Sequence, residues 1–147
     1  MRKFTFLLIF FFFILVSNVL ADNTKVYFTV NSQVSSTLYK YVNGNVTQVH
    51  TFVGAYVYSI AVDSKGNFYA ALPNSIVKNG QILLNNVNAL DLFVDSNDTL
   101  YYAETRSSPS LYNSIIYRLT PTGPVQVYSA PPYNEIFGLG VDSIGNL

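Results

Sequence analysis

The tripeptide Val-Asp-Ser recurs at Val62, Val94 and Val141, at intervals of 32 and then 47 residues. Its surroundings recur with it: "YSIAVDSKGNFYAAL" from Tyr58, "LDLFVDSNDTLYYAE" from Leu90 and "FGLGVDSIGNL" from Phe137. Each copy is an apolar run followed by a polar turn, and the first two continue into an aromatic run. β-Branched and aromatic residues on both sides of a short Asp/Ser/Gly/Asn turn are the signature of a β-hairpin. Asp63, Asp95 and Asp142 are placed to accept backbone N–H groups at the turn start, and Gly66 and Gly145 supply the positive φ that a tight reversal needs. Asp98 stands where the glycine would be in the middle copy, and it tolerates that conformation less well.

A second set of hairpins lies between these. "TLYKYVNGNVTQVHTF" from Thr37, "NSIVKNGQILL" from Asn74 and "NSIIYRLTPTGPVQVYSA" from Asn113 each set a turn between two strand-like runs. Asn43-Gly44 and Asn79-Gly80 are strong signals, because a type I′ turn needs positive φ at both central residues. Thr120 to Gly123 is a longer form of the same reversal. The predicted fold class is therefore all-β, built from units of four antiparallel strands. Strands A and B flank the Val-Asp-Ser turn, and C and D flank the Asn-Gly turn. The repeat intervals bracket the roughly 40 to 50 residues of a propeller blade, and "TRSSPSLY" from Thr105 to Tyr112 lengthens the second interval as a loop between B and C.

The N-terminus has a different character. Arg2 and Lys3 precede an apolar run from Phe4 to Val16, and Val19-Leu20-Ala21 offers a cleavage signal. That run falls short of the roughly 20 residues that span a bilayer. Residues 1–21 are expected to be a signal peptide, leaving 22–147 as a secreted or endomembrane-lumenal domain. The charge of the whole chain sums to zero, and the domain without Arg2 and Lys3 is slightly acidic, with nothing to attract nucleic acid or an anionic membrane. The absence of cysteine excludes zinc–thiolate, disulfide and cysteine-nucleophile chemistry. Two sequons, at Asn45 and Asn97, are glycosylation candidates in keeping with export.

"IAVDSKGNFYAA", followed by a C strand and an Asn-Gly turn, resembles the NHL-type repeat and the blades of six-bladed propellers in the gluconolactonase and strictosidine-synthase-like groups. The resemblance covers Lys25 to Leu147. With "KVYFTV" from Lys25 as strand B of a first unit, the chain holds B, C and D, then two units of A to D, then one further A strand. About three blades do not close a ring that takes four to eight. The expectation is therefore a β-propeller-type array incomplete at its C-terminus, from a truncated or partial copy of a larger propeller. Two copies joining into a ring of six blades are the competing expectation.

The resemblance also sorts the loops. A-to-B and C-to-D turns lie at one end of the blades with both sequons, and B-to-C and D-to-A loops lie at the other. In propellers the bare end tends to hold ligands, so the candidate ligand face comprises Tyr56, Glu104, Arg106, Tyr112, Tyr133 and Glu135, suited to a protein or carbohydrate. Lactonase-type propellers hold a divalent metal in the channel with Glu, Asn and Asp, one ligand being the Asn of a Pro-Asn-Gly word before strand A. The aligned residues here are Tyr58, Leu90 and Phe137, which are unsuited to a hard cation. Asp91 is a single carboxylate near the channel. His50, the lone histidine, is expected on an outer strand facing solvent, with no serine to serve as its partner in nucleophilic catalysis. The three Val-Asp-Ser aspartates are explained by their turns. No metal, cofactor or catalytic residue is therefore expected. The reading is a secreted non-catalytic binding or scaffolding module; the alternative is part of a metal-dependent lactonase-like or strictosidine-synthase-like hydrolase.

Overall fold

The computed structural model describes residues 25–108 and 111–142, except for the side chains of 106–112. Residues 1–21, expected to be a signal peptide, and Gly145 with the rest of the third expected turn after Asp142 lie outside the described residues.

Eleven strands, and among the described residues no helix, form three antiparallel sheets. The first holds β1 (Val26–Asn31), β2 (Ser35–Val42) and β3 (Asn45–Val53), in that order. The second runs β4 (Ser59–Val62), β5 (Phe68–Leu72), β6 (Ser75–Lys78), β7 (Gln81–Asn85), and the third β8 (Ala89–Val94), β9 (Leu100–Ser108), β10 (Leu111–Thr120), β11 (Gly123–Ser129). Every sheet is a meander, so these are the units B-C-D, A-B-C-D and A-B-C-D expected from the repeat.

Side chains alternate across a strand, and in β5 the alternation decides how the sheets stack. Phe68 and Ala70 pack with Leu38, Phe52 and Val77 between the first and second sheets. Tyr69 and Ala71 point the other way, joining Leu92, Leu100, Tyr102, Ile115 and Tyr117 between the second and third. The middle sheet is thus buried on both faces, which is why "FYAA" reads as an unbroken apolar run rather than an alternating one. Tyr102 and Tyr117 stack at 5.2 Å between ring centroids.

The turns hold the conformations their residues demand. Asn43 and Gly44 have φ of 49° and 84°, and Asn79 and Gly80 have 51° and 81°, as a type I′ reversal requires. Gly66 and Asp98 share positive φ, 82° and 62°, at the equivalent point of successive A-to-B turns.

Three expectations need correction. Most of the segment from Thr105 to Tyr112 is strand rather than B-to-C loop: β9 and β10 continue their ladder to the pair Leu111 and Ser108, because a polar run can keep pairing as a two-stranded extension where a partner strand faces it. Glu104 consequently lies inside β9 and is buried. His50 is half-buried rather than turned out to solvent. It pairs opposite Leu38 in β3 and its ring lies 4.7 Å from Phe52 and 5.4 Å from Phe68, wedged between two sheets.

Candidate functional site

The A strands β4 and β8 are edge strands of the second and third sheets and pack against each other, with polar side chains joining them. Ser59 Oγ donates to Asp91 Oδ1 at 2.6 Å and accepts from the Leu92 N–H at 3.1 Å. Asp91 Oδ2 in turn accepts from the Leu139 N–H at 2.7 Å. The candidate channel carboxylate is therefore a rivet between β4, β8 and the segment that follows β11. Among the described residues no cluster of three His, Cys, Asp or Glu side chains is grouped for a metal ion.

At the turn end, Asp63 is the centre of a small network. It accepts from the N–H groups of Lys65 and Asn67, from the Asn67 side-chain amide at 2.7 Å and from the Tyr69 hydroxyl at 3.3 Å. Lys78 Nζ stands 3.9 Å from its carboxylate and 4.9 Å above the Tyr69 ring. Burial pushes the Asp63 carboxyl up, but the Asn67 bonds, the Tyr69 hydroxyl and Lys78 outweigh it and hold it below its ordinary value. Asp95 repeats the core of this pattern, accepting from the N–H groups of Asn97 and Thr99. These aspartates do serve their turns. Between the second and third sheets lies a cleft of about 360 Å³, lined by Tyr69, Lys78 and Leu83 on one wall and Asp98, Thr99, Leu119 and Pro121 on the other. Asn45 and Asn97 are both exposed at this end.

The opposite end carries the loops of the expected ligand face. Tyr56 is half exposed and lines a cleft of about 280 Å³ with Ser32, Gln33, Val34, Ser35, Gly54 and Pro73, between the first and second sheets. Tyr133, with φ of 65°, is 76% exposed on the loop after β11, and Glu135 is half buried nearby; neither lines that cleft. Glu104 is in the sheet interior. Arg106 and Tyr112 lie in β9 and β10 by their backbone, and their side chains are outside the described ones. Tyr56 is the candidate that lines this cleft.

What sequence reasoning missed is the partner of Tyr56. Tyr58, aligned with metal-ligand positions and dismissed for that role, is 46% exposed with its ring 5.4 Å from that of Tyr56. The spacing i, i+2 in an extended segment places both on one side, so the Tyr-Val-Tyr word was the available signal. Val57, between them, is buried and fixes the segment: its N–H donates to Ser36 Oγ at 3.0 Å and its carbonyl accepts from Asn31 Nδ2 at 3.0 Å.

No protein-family model matches the chain, and no curated protein matches it. One solved structure, the extracellular domain of a one-component system from B. thetaiotaomicron, is similar over 63% of this chain with 16% identity and a TM-score of 0.35. The match spans 21% of that protein's chain, and likeness at this level carries no inference about function. Among the described residues no helix is long and apolar enough to cross a membrane.

Proposed function

We propose that this chain is a secreted β-propeller-type binding module whose ligand is a neutral oligosaccharide, held in the loop-end cleft between the first two sheets. The observation that carries the reading is the exposed Tyr56 and Tyr58 pair on a segment locked by its buried Val57. Two aromatic faces on a rigid backbone offer stacking area with little ordering cost. The cleft beside them is edged by the hydroxyls of Ser32 and Ser35 and the amide of Gln33, and none of its lining side chains is charged. Neutral hydrogen-bonding groups next to aromatic rings suit a sugar better than an ionic ligand, and about 280 Å³ is near the lower end of the roughly 300–1,000 Å³ of small-molecule sites. The apolar run after Arg2 and Lys3 and the two exposed sequons support export.

The test is a titration of the chain purified from the medium of a secretory host, where a product beginning at Asp22 supports export. Neutral oligosaccharides are added while amide chemical shifts are followed. Binding that shifts residues 32–35 and 54–58, weakens about tenfold or more in Tyr56→Ala and is unchanged in Tyr133→Ala is the expected result. Binding that survives Tyr56→Ala, or shifts elsewhere, sinks this assignment; selective binding of extended peptides would replace the sugar by a protein ligand.

A further inference from the structure

Strands β1, β5 and β9 are equivalent. Val26, Phe68 and Leu100 open them, and each is followed by a tyrosine. In the second and third sheets an inner strand pairs with this opening residue, Val62 with Phe68 and Val94 with Leu100. β1 differs: among the described residues it pairs with β2 alone and so forms a sheet edge. Its side chains pointing away from the second sheet are apolar and open to solvent, Val26 at 47% and Val30 at 54%. An exposed apolar edge strand is a template for pairing with another chain.

The chain carries a matching strand. Phe137 to Val141 repeats the inner-strand word and already lies beside β8 as β8 lies beside β4, since the Leu139 N–H bonds to Asp91 as the Leu92 N–H bonds to Ser59. Phe137 is 74% exposed, and the segment pairs with no strand among the described residues. Within one copy the two cannot meet, because one belongs to the first sheet and the other covers the third, with the second sheet packed between.

We propose that Phe137 to Val141 of one copy pairs antiparallel with β1 of a second copy, and that two such exchanges close a two-fold ring of six sheets. The register follows from the two complete sheets. Val141 lies opposite Val26, as Val62 lies opposite Phe68, and Leu139 lies opposite Phe28. The exchange satisfies the free edge of β1 and covers its valines, and the closed two-fold arrangement leaves no further edge to propagate a filament.

The full chain from a secretory host is examined by sedimentation equilibrium and by crosslinking. A dimer is expected. Because the chain has no cysteine, Val26→Cys in one preparation and Val141→Cys in another form the only thiol pair. Facing residues of adjacent strands lie close enough for a disulfide, so mild oxidation of the mixture should give a disulfide-linked heterodimer, and Val30→Cys mixed with Val141→Cys should not. The double variant Val26→Asp, Val30→Asp should associate at least tenfold more weakly while keeping its β-sheet circular dichroism. A monomeric wild type, an open polymer, a dimer unaffected by the aspartates, or no Val26–Val141 disulfide would overturn the proposal. If the aspartate variant does not fold, the disulfide pattern decides.

Discussion

Asp98 stands at a turn position that its predecessor fills with glycine, and its side chain supplies the reason. Its carboxylate accepts from both the N–H and the hydroxyl of Ser64, each at 2.7 Å, tying the turn of the third sheet to that of the second. The Ser64 N–H first and its hydroxyl second hold the Asp98 carboxyl below its ordinary value. A lowered folded pKa means the link stabilises the fold above the unfolded value, near pH 4, and is lost as pH falls through the folded value. The melting temperature of Asp98→Asn should therefore lie below wild type at pH 6 and converge on it below about pH 3; a constant gap would show that charge is not involved. Gly80 is constrained twice. Its φ is positive, and a Cβ there would stand 2.6 Å from His50 Cε1. Gly80→Ala should cost about 1–3 kcal/mol. Removing the ring relieves one of its two penalties, so in urea unfolding the double variant with His50→Ala should cost less than the sum of the singles. Strict additivity would mean the ring is not the obstacle.

At the level of elements, each outer hairpin carries an irregularity that no turn word announces. The C–D ladders shift register between Leu38 and Tyr39, between Ile76 and Val77, and between Ile116 and Tyr117, at the same point in all three sheets. A bulge there adds local twist in the outermost pair of every unit. The loops that lead from one sheet into the next are anchored by the C strands. Ser36 Oγ accepts from the Val57 N–H at 3.0 Å, and Ser114 Oγ accepts from the Ile136 N–H at 3.0 Å; both serines are fully buried. In the middle sheet the carbonyl of Asn74, whose φ is 66°, accepts from the Val87 N–H at 3.4 Å instead. Ser36→Ala leaves a buried N–H without its acceptor and should cost about 1–3 kcal/mol, whereas Ser32→Ala, in an exposed turn, should change stability by no more than about 0.5 kcal/mol. Urea midpoints of the two variants check the contrast, and equal costs would remove the anchoring role.

For the whole molecule, period and turn chemistry were legible in the linear text. The Val-Asp-Ser and Asn-Gly words located the A-to-B and C-to-D reversals and the grouping of strands into units, because turns are local and depend on which residues accept positive φ. Tyr56 was legible as a loop residue but its cleft was not, since a list of loop residues says nothing about which loops converge. The strand ends within Thr105 to Tyr112 were misjudged for a related reason: a polar run pairs or hangs free according to what its partner strand offers, as Asn113 and Ser114 do opposite Arg106 and Thr105. His50 was misplaced because period-2 patterning shows that a side chain has a face but not which sheet meets it. The sequence by itself determined an all-β array of antiparallel meanders, through local backbone preferences repeated unit by unit. The packing of the sheets settled that both faces of the middle sheet are buried and that Asp91 and Asp98 tie neighbouring strands and turns together. Those outcomes depend on contacts across 30 or more residues of chain, as between Ser59 and Asp91 or Ser64 and Asp98, which no local propensity encodes.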